Sequence, residues 1–112
     1  MAMNVVSIPP LNTAVRRVGS TPATLGANLL VAAEAGRRIR VLGIIAVTTA
    51  ANSIKFQSDT TDISGLFPLA ANGGFTLPFN EHGWFETLAG QALNINMSVA
   101  TSTGVQVVYM VV

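Results

Sequence analysis

The sequence predicts an all-β domain: a β-sandwich of about eight strands, jelly-roll by preference, behind an extended N-terminal arm. Three observations carry this. Short apolar runs alternate with polar residues at a spacing of two. Clusters of Gly, Asn, Asp, Ser and Pro punctuate those runs. Helix formers are sustained nowhere, since Gly26, Asn28 and Gly36 weaken the one stretch, Leu25 to Ala35, that carries them.

Taken in order, residues 1–24 read as the arm. Ile8-Pro9-Pro10-Leu11 is confined to extended geometry, because proline removes a donor and restricts its predecessor. Val5, Val6, Ile8 and Leu11 are apolar side chains with nothing local to bury them, so they are the expected partner-binding residues of the arm, with Arg16 and Arg17 set near acidic groups. One short strand is expected within it, Ala14 to Val18.

The sandwich is expected over residues 25–112. Asn28 to Ala33 is its first strand, closed by Glu34-Ala35-Gly36. Arg38 to Thr48 begins with period-two alternation and then becomes apolar on both faces, as a buried central strand does. Ser53 to Ser58 puts Ile54 and Phe56 on one face, Lys55 and Gln57 on the other. Asp59 to Gly65 is a loop by composition. Leu66 to Ala70 and Phe75 to Leu77 flank the turn signal Asn72-Gly73-Gly74, and Pro68 and Pro78 confine both to edges or bulges. Trp84 to Leu88 is a short strand. In the next, Leu93, Ile95, Met97 and Val99 oppose Asn94, Asn96 and Ser98. Val105 to Val112 is apolar on both faces, so it lies centrally in a sheet or against a neighbouring subunit, and Val108, Met110 and Val112 are its expected oligomer contacts.

Composition narrows the function. Half of the 112 residues are hydrophobic and only 10% are charged, against roughly 25% charged in ordinary soluble domains. Eleven charged side chains cannot cover a domain this size, so exposed apolar surface is expected, and large patches of it mark interfaces. No run approaches the roughly 18 apolar residues of a spanning helix, and the first residues lack the basic start of a signal peptide; no membrane partner is expected. A net charge of +1 gives no reason to expect nucleic acid. There is no cysteine, hence no disulfide or thiolate metal site.

Catalytic chemistry has little to work with. His82 is the single histidine, and its neighbour Glu81 points the other way on an extended segment. Asp59-Thr60-Thr61-Asp62 lacks the ligand count of a calcium loop and suits Asx turns better. No catalytic residue, cofactor or metal is therefore expected. Arg38 and Arg40 share a strand face, either solvated or salt-bridged to an acidic surface. Most aromatics are expected in the core, with one alternative: Phe67, Leu69 and Phe75 as a protruding apolar loop contact, or Trp84 as a platform for a sugar ring.

From Arg38 onward the chain resembles a group of small tailed-bacteriophage virion proteins. The phrases that carry this are Arg38-Ile39-Arg40-Val41-Leu42, Ile54-Lys55-Phe56-Gln57-Ser58, Asp62-Ile63-Ser64-Gly65, Pro68-Leu69-Ala70-Ala71-Asn72-Gly73-Gly74, Pro78-Phe79-Asn80, Gly83-Trp84-Phe85-Glu86-Thr87 and Gly90-Gln91-Ala92-Leu93-Asn94. The best-understood proteins of similar kind are capsid decoration, or cement, proteins. The resemblance implies a homotrimer on the outer capsid surface of the virion that ties major capsid protein subunits together, its arm reaching to capsid or to the next subunit. It carries over no individual site residue. A fibre or spike component that binds a host surface is the alternative, and an enzyme or small-ligand module the third reading.

Overall fold

The computed structural model describes residues 14–112. Ten strands form two antiparallel sheets, and there is no helix among the described residues. Sheet A runs in the order β1 (Arg16–Ser20), β10 (Thr103–Val111), β3 (Ile39–Thr48), then β7 (Gly74–Leu77), with β8 (Phe85–Glu86) also on β3. Sheet B runs β2 (Gly26–Val31), β9 (Leu93–Met97), β4 (Asn52–Ser58), then β5 (Thr61–Asp62), with β6 (Phe67–Leu69) also on β4. The short pieces share edges: β7 and β8 pair different stretches of β3, and β5 and β6 different stretches of β4. Each sheet is thus four ranks wide.

The two sheets pack face to face over one apolar core. Ile54, Phe56, Leu93, Ile95 and Met97 from sheet B meet Ile39, Val41, Ile44, Ala46, Val105 and Val107 from sheet A. An aromatic tier crosses the layers. Phe56 of sheet B stacks on Phe85 of sheet A at 5.4 Å and meets Phe67 edge-on at 6.3 Å, while Phe67 stacks on Phe75 of sheet A at 4.6 Å. Such pairs add to what burial alone supplies.

Two expectations need correcting here. The sandwich begins before residue 25: β1 pairs along its whole length with β10, from Arg16 opposite Tyr109 to Ser20 opposite Val105, and turns Val18 toward the core. Its single large apolar residue inside small polar neighbours gave it the composition of an arm. In β3, the continuous apolar run has a different cause from burial on both faces. The register with β10 slips between Val108 and Tyr109, leaving Leu42 without a partner. This bulge switches the phase. Ile39 and Val41 face inward before it, and Ile44, Ala46 and Thr48 after it. Ile45 and Val47 consequently point outward and are half exposed, at 51% and 50%.

Polar side chains close the ends of the core. At one end Asn52, 4% exposed, accepts through Oδ1 from the backbone N–H groups of Ser98 and Val99, both at 3.1 Å. Thr103 Oγ1 donates to Thr48 Oγ1 beside it at 3.4 Å. At the other end Ile39 N–H donates to Thr87 Oγ1 and Thr87 N–H to Ile39 O, each at 2.9 Å. The turn at Asn72, which carries the chain from β6 of sheet B to β7 of sheet A, is closed by Gly73 N–H to Ala70 O at 2.8 Å, with Asn72 at φ 60°. Gly74 follows because β7 lies so close on β3 that a Cβ there would collide with Ala46 O.

Candidate interaction face

The outward side of sheet A is built by strict alternation along β10. Thr103, Val105, Val107 and Val111 are buried, whereas Gly104 and Gln106 are exposed and Val108 and Met110 half-buried on the opposite side. The register sets Ile45 beside Gln106 and Val47 beside Gly104 on β3, with Thr76 and Gly74 beyond them on β7 and Gly19 across from Gln106 on β1. No charged side chain occupies these rows; Arg17 beside Val108 and Arg40 beside Met110 lie farther along the same side. Two shallow hollows lie here, of about 390 Å³ beside Gly19, Val47 and Gly104 and about 160 Å³ beside Gly43, Phe79 and Val108. Ile45 and Gln106 line both, so they form the ridge between them. Phe79, 62% exposed, and Trp84, 42% exposed, stand at the β7–β8 margin. The indole N–H of Trp84 donates to Pro78 O at 2.8 Å, which fixes the ring.

The outward side of sheet B differs in kind. Asn94 and Asn96 of β9 and Lys55 and Gln57 of β4 lie on it in register. Asp62 accepts from Gln57 Nε2 at 2.8 Å and from Lys55 Nζ at 3.1 Å, and Asn96 Nδ2 donates to Gln57 Oε1 at 3.3 Å. The Gln57 amide first, and the Lys55 ammonium second, hold the Asp62 carboxyl below its ordinary range. Its polar groups are satisfied within the chain.

The structure sorts the sequence-predicted residues. Val108, Met110 and Val112 are half-buried, the first two on the apolar side of sheet A. Phe67, Leu69 and Phe75 are not a protruding contact; all three pack against the core, Phe67 and Phe75 through the aromatic tier and Leu69 from β6 paired with β4. Arg16 pairs within the chain with Glu34 at 2.9 Å rather than waiting for an acidic partner, while Arg17 is exposed. Val5, Val6, Ile8 and Leu11 lie outside the described residues. Arg40 and Arg38 both reach Glu86, at 2.9 and 3.7 Å, so the cationic strand end is answered internally. Glu81 and His82 are 4.0 Å apart and 80% and 88% exposed, with no third group converging on them. Asp59 Oδ1 accepts from Ala92 N–H at 2.9 Å, a loop-to-loop tie. Among the described residues no three His, Asp or Glu side chains gather around a common metal position.

No protein-family model matches the chain, and no curated protein matches it significantly. Among the described residues no helix is long and apolar enough to cross a membrane.

Sequence reasoning missed Ile45, Val47 and Gly104 as a group. Apolar residues in a strand look the same whether they face a core or a partner, and the bulge at Leu42 hid the phase. The available signal was glycine: Gly43, Gly74 and Gly104 sit within strands, where glycine costs stability unless something approaches closely.

Proposed function

We propose that this chain is a structural interaction module of a phage particle: a capsid decoration (cement) protein that binds the outer shell as a homotrimer and ties major capsid subunits together without catalysis. The observation that carries the reading is the apolar middle of sheet A's outward side, around Ile45, Val47 and Gly104, with Arg17 and Arg40 confined to its Met110 end. In an isolated domain it would leave Ile45, Val47 and Phe79 facing water together, and a contiguous patch of that kind marks an interface. The resemblance to small virion proteins supplies the partner. The strand order supports a jelly-roll reading of the sandwich, with its eight ranks in chain order lying in sheets A, B, A, B, B, A, B and A. The test is to add the purified protein to shells that lack it and to locate it in a density map of the particle. Density at local threefold points of the outer surface is expected; density confined to the tail overturns the reading.

The exposed pair Phe79 and Trp84 favours the second reading, a fibre or spike component that binds a host surface. On that reading Trp84→Ala destroys cell or glycan binding and leaves assembly intact.

A further inference from the structure

We propose that the hollow side of sheet A is the seat of an extended segment of a neighbouring copy, namely its residues 1–13, so that each subunit gives one arm and receives one. This rests on the homo-oligomeric reading above and adds what fills the face.

Three observations point to this occupant. The first is Gly104. It lies inside β10 with an ordinary strand conformation, and a Cβ there would meet nothing closer than Val47 O at 4.0 Å. Neither backbone geometry nor packing within the chain requires glycine, and a strand-interior glycine without such a reason marks the close approach of another backbone. The larger hollow is open at that point, lined by Gly19, Ser20, Val47 and Gln106. Second, the larger hollow is lined by no charged side chain, Arg17 and Arg40 lying toward the Met110 end of the face, and residues 1–13 contain no Asp, Glu, Lys or Arg while holding Val5, Val6, Ile8 and Leu11. A charged or helical partner would fit neither the flat shape nor the chemistry.

Third, the segment joins this same sheet. β1 begins at Arg16 on the edge of sheet A, beside Tyr109, whereas the larger hollow adjoins the other end of β1, near Ser20. Thirteen extended residues reach about 45 Å, and the outward row from Gly104 to Met110 spans about 20 Å, so length is ample. To lie on its own sheet the segment would have to reverse directly before β1. Pro9-Pro10 favours continued extension instead, which carries the apolar residues to the next copy. A head-to-tail relation of this kind closes into a ring when the rotation between copies closes, and runs on as a filament when it does not.

The chain has no cysteine, which makes disulfide trapping clean. Full-length Ile8→Cys with one affinity tag is mixed with full-length Val47→Cys carrying another, and oxidised with copper-phenanthroline in air. The expected product is a disulfide between differently tagged copies; Ile8→Cys mixed with Asn94→Cys, on sheet B, should give none. Full-length Gly104→Val fills the hollow with a strand-favouring side chain, and should keep the fold while weakening self-association at least about tenfold. A wild-type chain that sediments as an oligomer but gives no Ile8–Val47 product overturns the arm and leaves the oligomer standing. A trap that forms only within one chain, in an Ile8→Cys/Val47→Cys double variant, overturns the exchange. A wild-type chain that sediments as a monomer overturns the oligomeric reading itself.

Discussion

The two outward faces of this sandwich are made by the same rule of alternation and reach opposite ends. On sheet B the outward rows of β9 and β4 are Asn94, Asn96, Lys55 and Gln57: Lys55 and Gln57 bond Asp62, Asn96 bonds Gln57, and Asn94 bonds Asp59 O, with the apolar Leu29 of β2 at their edge. On sheet A they are Gly104, Gln106, Val108, Ile45 and Val47, with hollows between them. Between these faces lies one shared core. Where polar side chains satisfy one another the surface is finished toward water; around Gly104, apolar Ile45 and Val47 stand half exposed with no such partners.

The largest effect is expected where the faces share their support. Phe56→Ala removes the ring that joins Phe85 of one sheet to Phe67 of the other. Denaturant unfolding should show a loss of about 3–5 kcal/mol, and both faces should fail together. If the variant lost stability but kept full assembly, the dependence of sheet A's outward side on the core would be wrong.

A matched pair of charges separates the faces next. Val47→Asp and Asn94→Asp both place a carboxylate on an outward strand position. Each should leave thermal stability nearly unchanged, within about 0.5 kcal/mol. Val47→Asp should weaken self-association by about a hundredfold, equivalent to nearly 3 kcal/mol, and Asn94→Asp should not weaken it. Equal effects on the two faces would erase the contrast drawn here.

How far these features are legible in the sequence follows the regularity of each strand. β9 is uninterrupted, so Leu93, Ile95 and Met97 are identifiable as core and Asn94 and Asn96 as surface. β3 is not, because the unpaired Leu42 exchanges inside for outside midway and makes Ile45 and Val47 look buried. β1 is concealed by its composition, since pairing with β10 rather than its own side chains holds it in the sheet. Phe67 and Phe75 look free because Phe56 completes their tier from another strand. Asn52 reads as a turn residue from its neighbours; only the fold brings Ser98 and Val99 to its carbonyl.

That carbonyl provides the third comparison, between a buried polar clamp and an exposed one. Asn52→Ala leaves the Val99 N–H without its acceptor, while Ser98 N–H keeps Ser53 O at 3.0 Å, and should cost about 2 kcal/mol by denaturant unfolding. An unchanged midpoint would show that water replaces the side chain. The smallest effect belongs to Asp62 on the exposed face. Its folded pKa is depressed by Gln57 and Lys55, so it supports folding above the unfolded carboxylate value of about 3.9 and loses that support as pH falls through the folded value. Asp62→Asn should remove that support, so the variant's deficit at neutral pH should vanish as pH falls through the acid window, and a variant profile that keeps the wild-type slope there would contradict the assignment.

The outward side of sheet A is covered either by protein or by water. Sedimentation velocity of the full-length chain beside Val47→Asp, at the same micromolar concentration, distinguishes the two most directly. A trimer for the wild type and a folded monomer for the variant are predicted. A wild-type chain that remains a monomer, or a variant that sediments like it, would contradict the account.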